Sequence, residues 1–303
     1  MPSRETRGVT PITMPTPQWP GWLPLLLLPS SALLVRNVLP PWGFMWLLAF
    51  GIFISLKWFT WWRARNHVPH TAWRSVVYLL AWPGMDAESF LDAGRCVQPT
   101  STQNWFRAFI NAAFGASLLW VVARAIPNHL LLLRGWAGML GLILLLHFGT
   151  FEIVSLCWRS FGVDARPIMS SPLQSKSLSE FWGKRWNLGF RQLGHELIFR
   201  PLHRSVGAGL AGFCVFVASG LVHDLVISVP ARGGYGLPTC YFVVQGLGVA
   251  IERSTPGKQF GLRAGARGWL FMAGFTVGPA FWLFHPPFVR SVILPFMRAI
   301  HAL

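Results

Sequence analysis

The ionisable residue His223 lies within a long apolar stretch of the chain, residues 207–229, and is followed by Asp224. Imidazole titrates near neutral pH and is the most frequent general base in enzymes. An ionisable group inside a membrane-length segment is also a candidate functional residue. Helical spacing places His223 on one stripe with Ala208, Gly212 and Ser219. These small residues would permit close helix packing or leave room for a substrate channel.

The same pattern fits a second interpretation, in which His223 packs against a neighbouring helix and hydrogen-bonds there. Asp224 follows directly in the sequence. It would orient the imidazole only if the backbone bent, because adjacent residues of a helix do not face each other. The spacing of residues alone does not decide whether His223 is a general base or a packing residue.

A basic, aromatic-rich segment precedes this stretch. Ser177 and Glu180 have the spacing of a capping box, which predicts that a helix begins there. Apolar residues then recur every three or four positions, at Leu178, Trp182, Trp186, Phe190, Leu193 and Leu197. Polar residues fall on the opposite face, at Glu180, Lys184, Asn187 and Arg191. The periodicity predicts an amphipathic helix that lies in the membrane interface.

Two functions fit this predicted helix. It could be an anchor with a solvated basic face, in which Asn187 is a surface amide. It could instead receive an anionic ligand at the cytoplasmic face. Gly183 and Gly189 could break the helix and redirect the Asn187 side chain.

The composition indicates which kind of secondary structure must position these residues. Of 303 residues, 53% are hydrophobic and only 12% are charged, whereas soluble domains have about 25% charged residues. We therefore expect an all-α polytopic integral membrane protein, with residues 1–303 forming a single membrane-embedded domain. Residues 1–20 are expected to be flexible, and residues 159–206 to form a cytoplasmic basic loop.

About eight transmembrane helices are predicted, since a span needs roughly 20 apolar residues. The candidate spans are residues 22–35, 42–62, 106–125, 130–154, 207–229, 237–251, 269–284 and 288–300. A further apolar piece, residues 76–83, is too short to cross and is expected to be re-entrant or interfacial.

The basic residues predict the orientation of these spans. With the N-terminus inside, only Arg36, Arg124, Arg134, Arg232 and Arg290 of the 26 Lys and Arg residues fall outside. This asymmetry follows the positive-inside rule and places both termini in the cytoplasm. The net charge of +16 therefore reflects topology, and it suits lipid headgroups or coenzyme phosphates. Nucleic acid is not an expected partner.

Metal and cofactor motifs are weak in this sequence. His67 and His70 have metal-ligand spacing, but nothing near them supplies a third or fourth ligand. A GxxxxGK[ST] phosphate loop does not occur. We expect neither a metal nor a resident cofactor.

Three motifs together resemble a known family. Residues 171–187 end in Phe-Trp-Gly-Lys-Arg-Trp-Asn, residues 219–224 read Ser-Gly-Leu-Val-His-Asp, and residues 82–86 read Trp-Pro-Gly-Met-Asp. In this order they resemble the wax-synthase-like branch of the membrane-bound O-acyltransferases. Lys184-Arg185 stands where the sterol and diacylglycerol branches have an acidic-aromatic pair. Asp224 stands where many relatives have Glu.

The resemblance implies acyl transfer from acyl-CoA, as co-substrate, to the hydroxyl of a lipophilic alcohol. It implies that His223 is the general base and that Asn187 positions substrate or stabilises the transition state. The remaining residues expected to bind substrate are Phe181, Trp182, Lys184, Arg185, Trp186, Arg191 and Ser219. Membrane lipids are the other expected partner.

Several alternatives remain open on the sequence. The acceptor could be a terpenoid, sterol or glycan hydroxyl, and the acyl group could be as short as acetyl. A transporter or channel with His223 and Glu152 on a polar path is the rival class, although the inverted repeat common in transporters is not found. A catalytically inactive scaffold of the same fold is a third. Similarity to bacterial members favours the bacterial inner membrane; in a eukaryote it would be the endoplasmic reticulum.

Overall fold

Residues 19–303 are described by the computed structural model, and they form helices joined by turns, with no strand among them. The first helices are α1 (Trp19–Leu34), α2 (Pro41–Ala64), α3 (Ala72–Ala81), α4 (Ala87–Leu91), α5 (Thr102–Ala125) and α6 (Leu131–Ser160). The others are α7 (Leu178–Glu180), α8 (Leu188–Ala231), α9 (Leu237–Arg253), α10 (Thr255–Gln259), α11 (Gly265–Val277), α12 (Ala280–Leu283) and α13 (residues 286–299).

Four of these helices, α2, α5, α6 and α8, are long and apolar enough to cross a membrane. Helices α1 and α3 are apolar but shorter. The chain is therefore an all-helical integral membrane protein, as predicted. Among the predicted spans, residues 42–62, 106–125 and 207–229 lie within three of the long helices, and residues 130–154 lie within α6 except for Leu130, its N-cap.

The expectation for residues 1–20 falls mostly outside the described part of the chain. Trp19 and Pro20 are described, and they already belong to helix α1. Residues 76–83, expected to be re-entrant or interfacial, lie largely in helix α3, which ends at Ala81.

Helix α8 is divided by a break at Gly207, whose backbone has φ +81° and ψ 160°. A positive φ of this kind is accessible to glycine at little cost. The apolar part of α8 therefore begins at the residue where the sequence predicted the span to begin. It ends at Arg232, which has a left-handed conformation and closes the helix.

Helices α8 and α9 pack extensively against each other, and they carry the site described below. Helix α2 packs along α1 and also against α8. The largest core cluster forms where α13 is surrounded, with Val289, Val292 and Met297 fully buried. A second core, centred on Leu48 of α2, packs against Leu193 of α8.

Candidate active site

The segment predicted as one amphipathic helix is interrupted. Helix α7 begins as predicted, since the Ser177 hydroxyl oxygen accepts a hydrogen bond from the Glu180 backbone N–H at 3.0 Å. Residues 181–185 follow as a π-helical turn, and Trp186 is extended. The prediction of a continuous helix was therefore wrong. Its apolar stripe is split between α7 and the start of α8.

Asn187 is the residue at this break. Its backbone is left-handed, with φ 43°, and its Oδ1 accepts a hydrogen bond from the Phe190 N–H at 3.4 Å. Asparagine tolerates this conformation and is a good N-cap, so one residue both turns the chain and begins α8. The Asn187 side-chain nitrogen makes no hydrogen bond to residues 19–303. It is available as a donor.

A neighbouring loop holds the break in place. The Ser170 N–H donates to the Arg185 carbonyl at 2.8 Å, and the Leu188 N–H donates to the Ile168 carbonyl at 2.9 Å. These bonds satisfy backbone groups that a continuous helix would have paired internally. Tertiary contacts therefore override the helical periodicity here.

Aromatic contacts connect this segment to His223. The Trp182 ring packs on Phe242 of α9 with centroids 5.6 Å apart, and Phe242 packs on the His223 ring at 4.4 Å. The Trp182 indole N–H also donates to Gln245 Oε1 at 3.2 Å. The Phe242 ring thus contacts both the Trp182 ring and the His223 ring. No hydrogen bond joins Asn187 to His223 within the described residues.

The tautomer of His223 is set by its backbone partner. Its Nδ1 lies 2.7 Å from the carbonyl oxygen of Ser219. A carbonyl can only accept, so Nδ1 carries the proton and Nε2 keeps its lone pair. A neutral imidazole in this tautomer can accept a proton at Nε2, as a general base must. Ser219 contributes through its backbone.

Asp224 points away from this imidazole. Its Oδ1 accepts from the Gly236 N–H at 2.9 Å, and its Oδ2 accepts from the Thr239 N–H at 3.1 Å. The Thr239 and Ser228 hydroxyls donate to the same carboxylate. Asp224 therefore fastens the turn between α8 and α9 and does not orient His223. The helix continues through residues 223–224 without a bend.

The upstream motif, residues 82–86, lies beside the Asn187 turn. A Cβ on Gly189 would be 3.3 Å from Met85, so the two segments are in close contact. Lys57, only 1% exposed, donates to the Gly84 carbonyl at 2.6 Å and lies 3.1 Å from the centroid of the Tyr78 ring. A buried lysine thus fixes this motif, a role not expected from the sequence.

The basic residues of the signature segment, residues 171–191, occupy different environments. Lys184 and Arg191 are exposed. Arg185 forms an ion pair with Glu180 at 2.7 Å and donates to the Ser170 carbonyl. The Lys176 backbone N–H and the Arg185 guanidinium hold the pKa of the Glu180 carboxyl below its usual range. Arg185 is thus occupied within the fold, while Lys184 and Arg191 remain accessible.

The two aromatic residues next to Trp182 form a stacked pair. Phe181 is buried, and its ring lies parallel to that of Trp186 with centroids 5.3 Å apart. This stack spans the π-helical turn and brings the extended residue Trp186 back onto α7. The Phe181 ring also packs edge-on against the Trp182 ring.

Two functional candidates were missed or misjudged in the sequence. Gln245 is fully buried in α9 and joins Trp182 to the Phe275 carbonyl; a polar residue inside a predicted span was the available signal. Glu252 directly follows the predicted span 237–251, and a carboxylate at the end of a span is expected to be solvated. It is fully buried, and its Oε2 accepts from the Ser179 N–H at 3.0 Å.

A polar pocket of about 410 Å³ lies between α2, α4 and the first part of α8. Its walls include the ion pair of Arg63 and Glu196, 3.0 Å apart, together with His67, Arg200 and Gln192. No group of three His, Cys, Asp or Glu residues able to hold a metal occurs in residues 19–303.

Comparison with known proteins agrees with this helical site. Residues 165–244 match the sequence model of the membrane bound O-acyl transferase family. The match covers the signature segment, the Asn187 turn and the His223 helix. It confirms the family resemblance predicted from the motifs.

Several named proteins are similar to part of this chain. The chain is 30% identical over 145 residues to "Probable long-chain-alcohol O-fatty-acyltransferase 7" of Arabidopsis thaliana, covering 43% of this chain and 42% of that protein. Identity is also 30% to the long-chain-alcohol O-fatty-acyltransferase of Simmondsia chinensis, over 43% and 40% of the two chains. It is 27% to acyl-CoA–sterol O-acyltransferase 1 of A. thaliana, over 44% and 41%. The matched region thus spans about two fifths of each relative's length.

Proposed function

We propose that this protein is a membrane-bound O-acyltransferase that transfers an acyl group from acyl-CoA to the hydroxyl of a lipophilic alcohol. The observation that carries the proposal is the His223 tautomer: Nδ1 is bonded to the Ser219 carbonyl, and Nε2 keeps its lone pair. The names of the relatives support a long-chain alcohol as acceptor and a fatty acyl group as donor.

In the proposed reaction, the alcohol hydroxyl gives its proton to His223 Nε2. The alcohol oxygen attacks the thioester carbonyl and forms a tetrahedral intermediate. Collapse breaks the carbon–sulfur bond, and the leaving thiolate takes the proton from the imidazolium. Ester and free coenzyme A leave, and His223 is neutral again. A positioned base of this kind contributes roughly 10²–10⁴-fold to the rate.

The Asn187 side chain has a distinct part in this proposal. Its Oδ1 caps α8, which leaves the amide N–H groups free to donate. A donor aimed at the developing oxyanion is worth about 3–4 kcal/mol of transition-state stabilisation. We assign Asn187 this role, or that of holding the thioester carbonyl in line.

We also propose how the two substrates reach the site. Coenzyme A would approach from the side that carries Lys184, Arg191 and the polar pocket with His67 and Arg200. Guanidinium groups suit its phosphates. The alcohol would enter from the bilayer. Eight spans, with both termini and this basic side in the cytoplasm, complete the proposed topology, and the bacterial inner membrane is the proposed location.

A sterol hydroxyl is the second candidate acceptor, because one relative carries that activity in its name. The test is ester formation by purified protein in nanodiscs, with labelled acetyl-CoA and palmitoyl-CoA against long-chain alcohols and sterols. His223→Ala should abolish the product. His129→Ala, which removes an exposed histidine between α5 and α6, should leave it intact. Full activity in the His223→Ala variant would refute the proposed mechanism.

A further inference from the structure

A second histidine, His285, is completely buried just before helix α13. Its Nδ1 accepts a hydrogen bond from the Phe288 N–H at 3.2 Å and so caps α13. Burial lowers the pKa of the His285 imidazole, although the Asp224 carboxylate acts in the opposite direction. The Nδ1 that accepts the hydrogen bond from Phe288 carries no proton, so the ring is neutral. Because Nδ1 is an acceptor, the ring proton is on Nε2.

This proton begins a directed chain of hydrogen bonds. His285 Nε2 lies 3.2 Å from the hydroxyl oxygen of Ser228, which is also fully buried. The Ser228 hydroxyl lies 2.7 Å from Asp224 Oδ1. Since the carboxylate can only accept, Ser228 accepts from His285 and donates to Asp224.

The direction of the chain excludes one function. A nucleophilic serine needs a base that accepts its hydroxyl proton. His285 donates to Ser228, and its other nitrogen is occupied by the Phe288 N–H. The three residues resemble a hydrolase triad in composition, but their order cannot activate Ser228. Their role is structural support for another group.

The turn between α8 and α9 is built closely around this histidine. Gly234 has φ +72°, and a Cβ there would lie 2.5 Å from His285 ring atoms. The Gly234 carbonyl is 3.2 Å from the Ser228 hydroxyl. Residue 234 must therefore be glycine, both for its positive φ and because a side chain would clash with the His285 ring.

The series of hydrogen bonds from His285 ends on the first turn of α9 and thereby fixes Phe242. Asp224 receives the Thr239 N–H at 3.1 Å, and Phe242 lies one helical turn further along α9. Phe242 is the residue whose ring packs on His223 at 4.4 Å. Asp224 itself is adjacent to His223 in α8. The network therefore positions the start of α9, and with it the Phe242 ring, against the imidazole.

We infer that His285 is a positioning residue, which acts through Ser228 and Asp224 to hold the start of α9 so that Phe242 fixes the His223 ring. Its effect on catalysis rests on the proposed function. Its effect on the turn does not, so the two can be tested separately.

Two substitutions divide the functions of the His285 ring. In His285→Asn, the amide oxygen can still cap α13, as asparagine commonly does, but the side chain is too short to donate to Ser228. In His285→Gln, the longer amide can reach Ser228, while the cap is lost. Both proteins are studied full length in nanodiscs of the same composition.

The expected result is a kcat for ester formation about ten- to a hundredfold lower in His285→Asn, since a misplaced catalytic group costs up to about 10²-fold. Its KM for acyl-CoA should stay within about twofold of the wild type. His285→Gln should retain most of kcat. Equal loss in both variants, or loss in His285→Gln alone, would overturn the inference.

Hydrogen exchange gives a readout that needs no activity. The amides of Gly236 and Thr239, which donate to Asp224, should exchange faster in His285→Asn but not in His285→Gln. If the wild type forms no ester, the proposed function fails, and exchange still decides the positioning role. Unchanged exchange in His285→Asn would refute it.

Discussion

Gly220 of α8 lies against Thr239 of α9 so closely that a Cβ on Gly220 would be 2.7 Å from the Thr239 Cα. Backbones can approach this closely only where a side chain is absent, which is a common device in membrane helices. Thr239 is also the residue held by Asp224. The contact therefore determines how near α9, with Phe242, comes to His223.

Gly220→Ala should destabilise the protein by about 1–3 kcal/mol and lower acyl transfer, because the added methyl group would force α9 away from α8. The matched control is Gly212→Ala in the same helix, where a Cβ would meet nothing within 4 Å. That change should be neutral or stabilising by up to about 1 kcal/mol, as alanine is the better helix former. Thermal unfolding in one detergent measures both. Equal stability of the two variants would show that the close approach is not needed.

The contrast between these glycines also shows what the sequence could predict. A small-residue stripe with His223 was visible, and so was the start of the span at Gly207, because both are local features of helical spacing. The partner at close approach was not predictable. It depends on Thr239 in another helix, whose position is set by the Asp224 carboxylate. The periodicity of one helix does not predict a contact with a residue of another helix.

The signature segment illustrates the same limit. The capping interaction of Ser177 with Glu180 was predicted correctly, since it involves residues three apart. The continuous helix was wrong because the loop at residues 168–170 pairs with the chain around Asn187. Glu252 was expected to be solvated at the end of a span. Helix α7 lies over it, which no pattern near residue 252 indicates.

Asn187 has a structural and a proposed chemical role, and two substitutions separate them. Asn187→Gly keeps the left-handed backbone at little cost but removes the amide donor. Asn187→Ala removes the donor and also strains the backbone, so it should be less stable than Asn187→Gly by about 1 kcal/mol. Both should lose acyl transfer by about a hundredfold if the amide stabilises the oxyanion. Normal kcat in a well-folded Asn187→Gly protein would restrict Asn187 to shaping the turn.

Glu252 should stabilise the signature segment through a single acceptor. Its Oε2 takes the Ser179 N–H, whereas its buried Oε1 has no partner within residues 19–303. Glu252→Ala should cost about 1–3 kcal/mol, because the Ser179 N–H loses its acceptor. Glu252→Gln keeps a carbonyl acceptor without a buried charge and should be close to the wild type. The control is Glu88→Ala, an exposed carboxylate, expected within about 0.5 kcal/mol of the wild type.

Unfolding measurements on these variants would decide between two views of Glu252. If Glu252→Ala is less stable than the wild type and Glu252→Gln is not, the side chain acts as a hydrogen-bond acceptor that does not need its charge. An equal loss in both would instead show that the negative charge itself is required at the start of α7.

Glu180 predicts a pH dependence whose direction follows from its lowered pKa. The Lys176 N–H and Arg185 favour the ionised carboxylate in the folded protein, so the unfolded chain binds the proton more tightly. The stabilisation is complete above the ordinary glutamate pKa of about 4.3 and declines as the pH falls toward the lower folded value. The wild type should therefore be more stable than Glu180→Gln at pH 7, and this difference should shrink between about pH 4.5 and 3.

The measurement is the midpoint of thermal unfolding for both proteins at several pH values in one detergent. Because the two proteins share all other carboxylates, the difference between their midpoints reports on Glu180. Arg185→Met serves as a second variant: it removes the guanidinium but keeps the Lys176 N–H bond, so part of the pH dependence should remain. A difference between wild type and Glu180→Gln that stays constant down to pH 3 would show that Glu180 stabilises the turn without its charge.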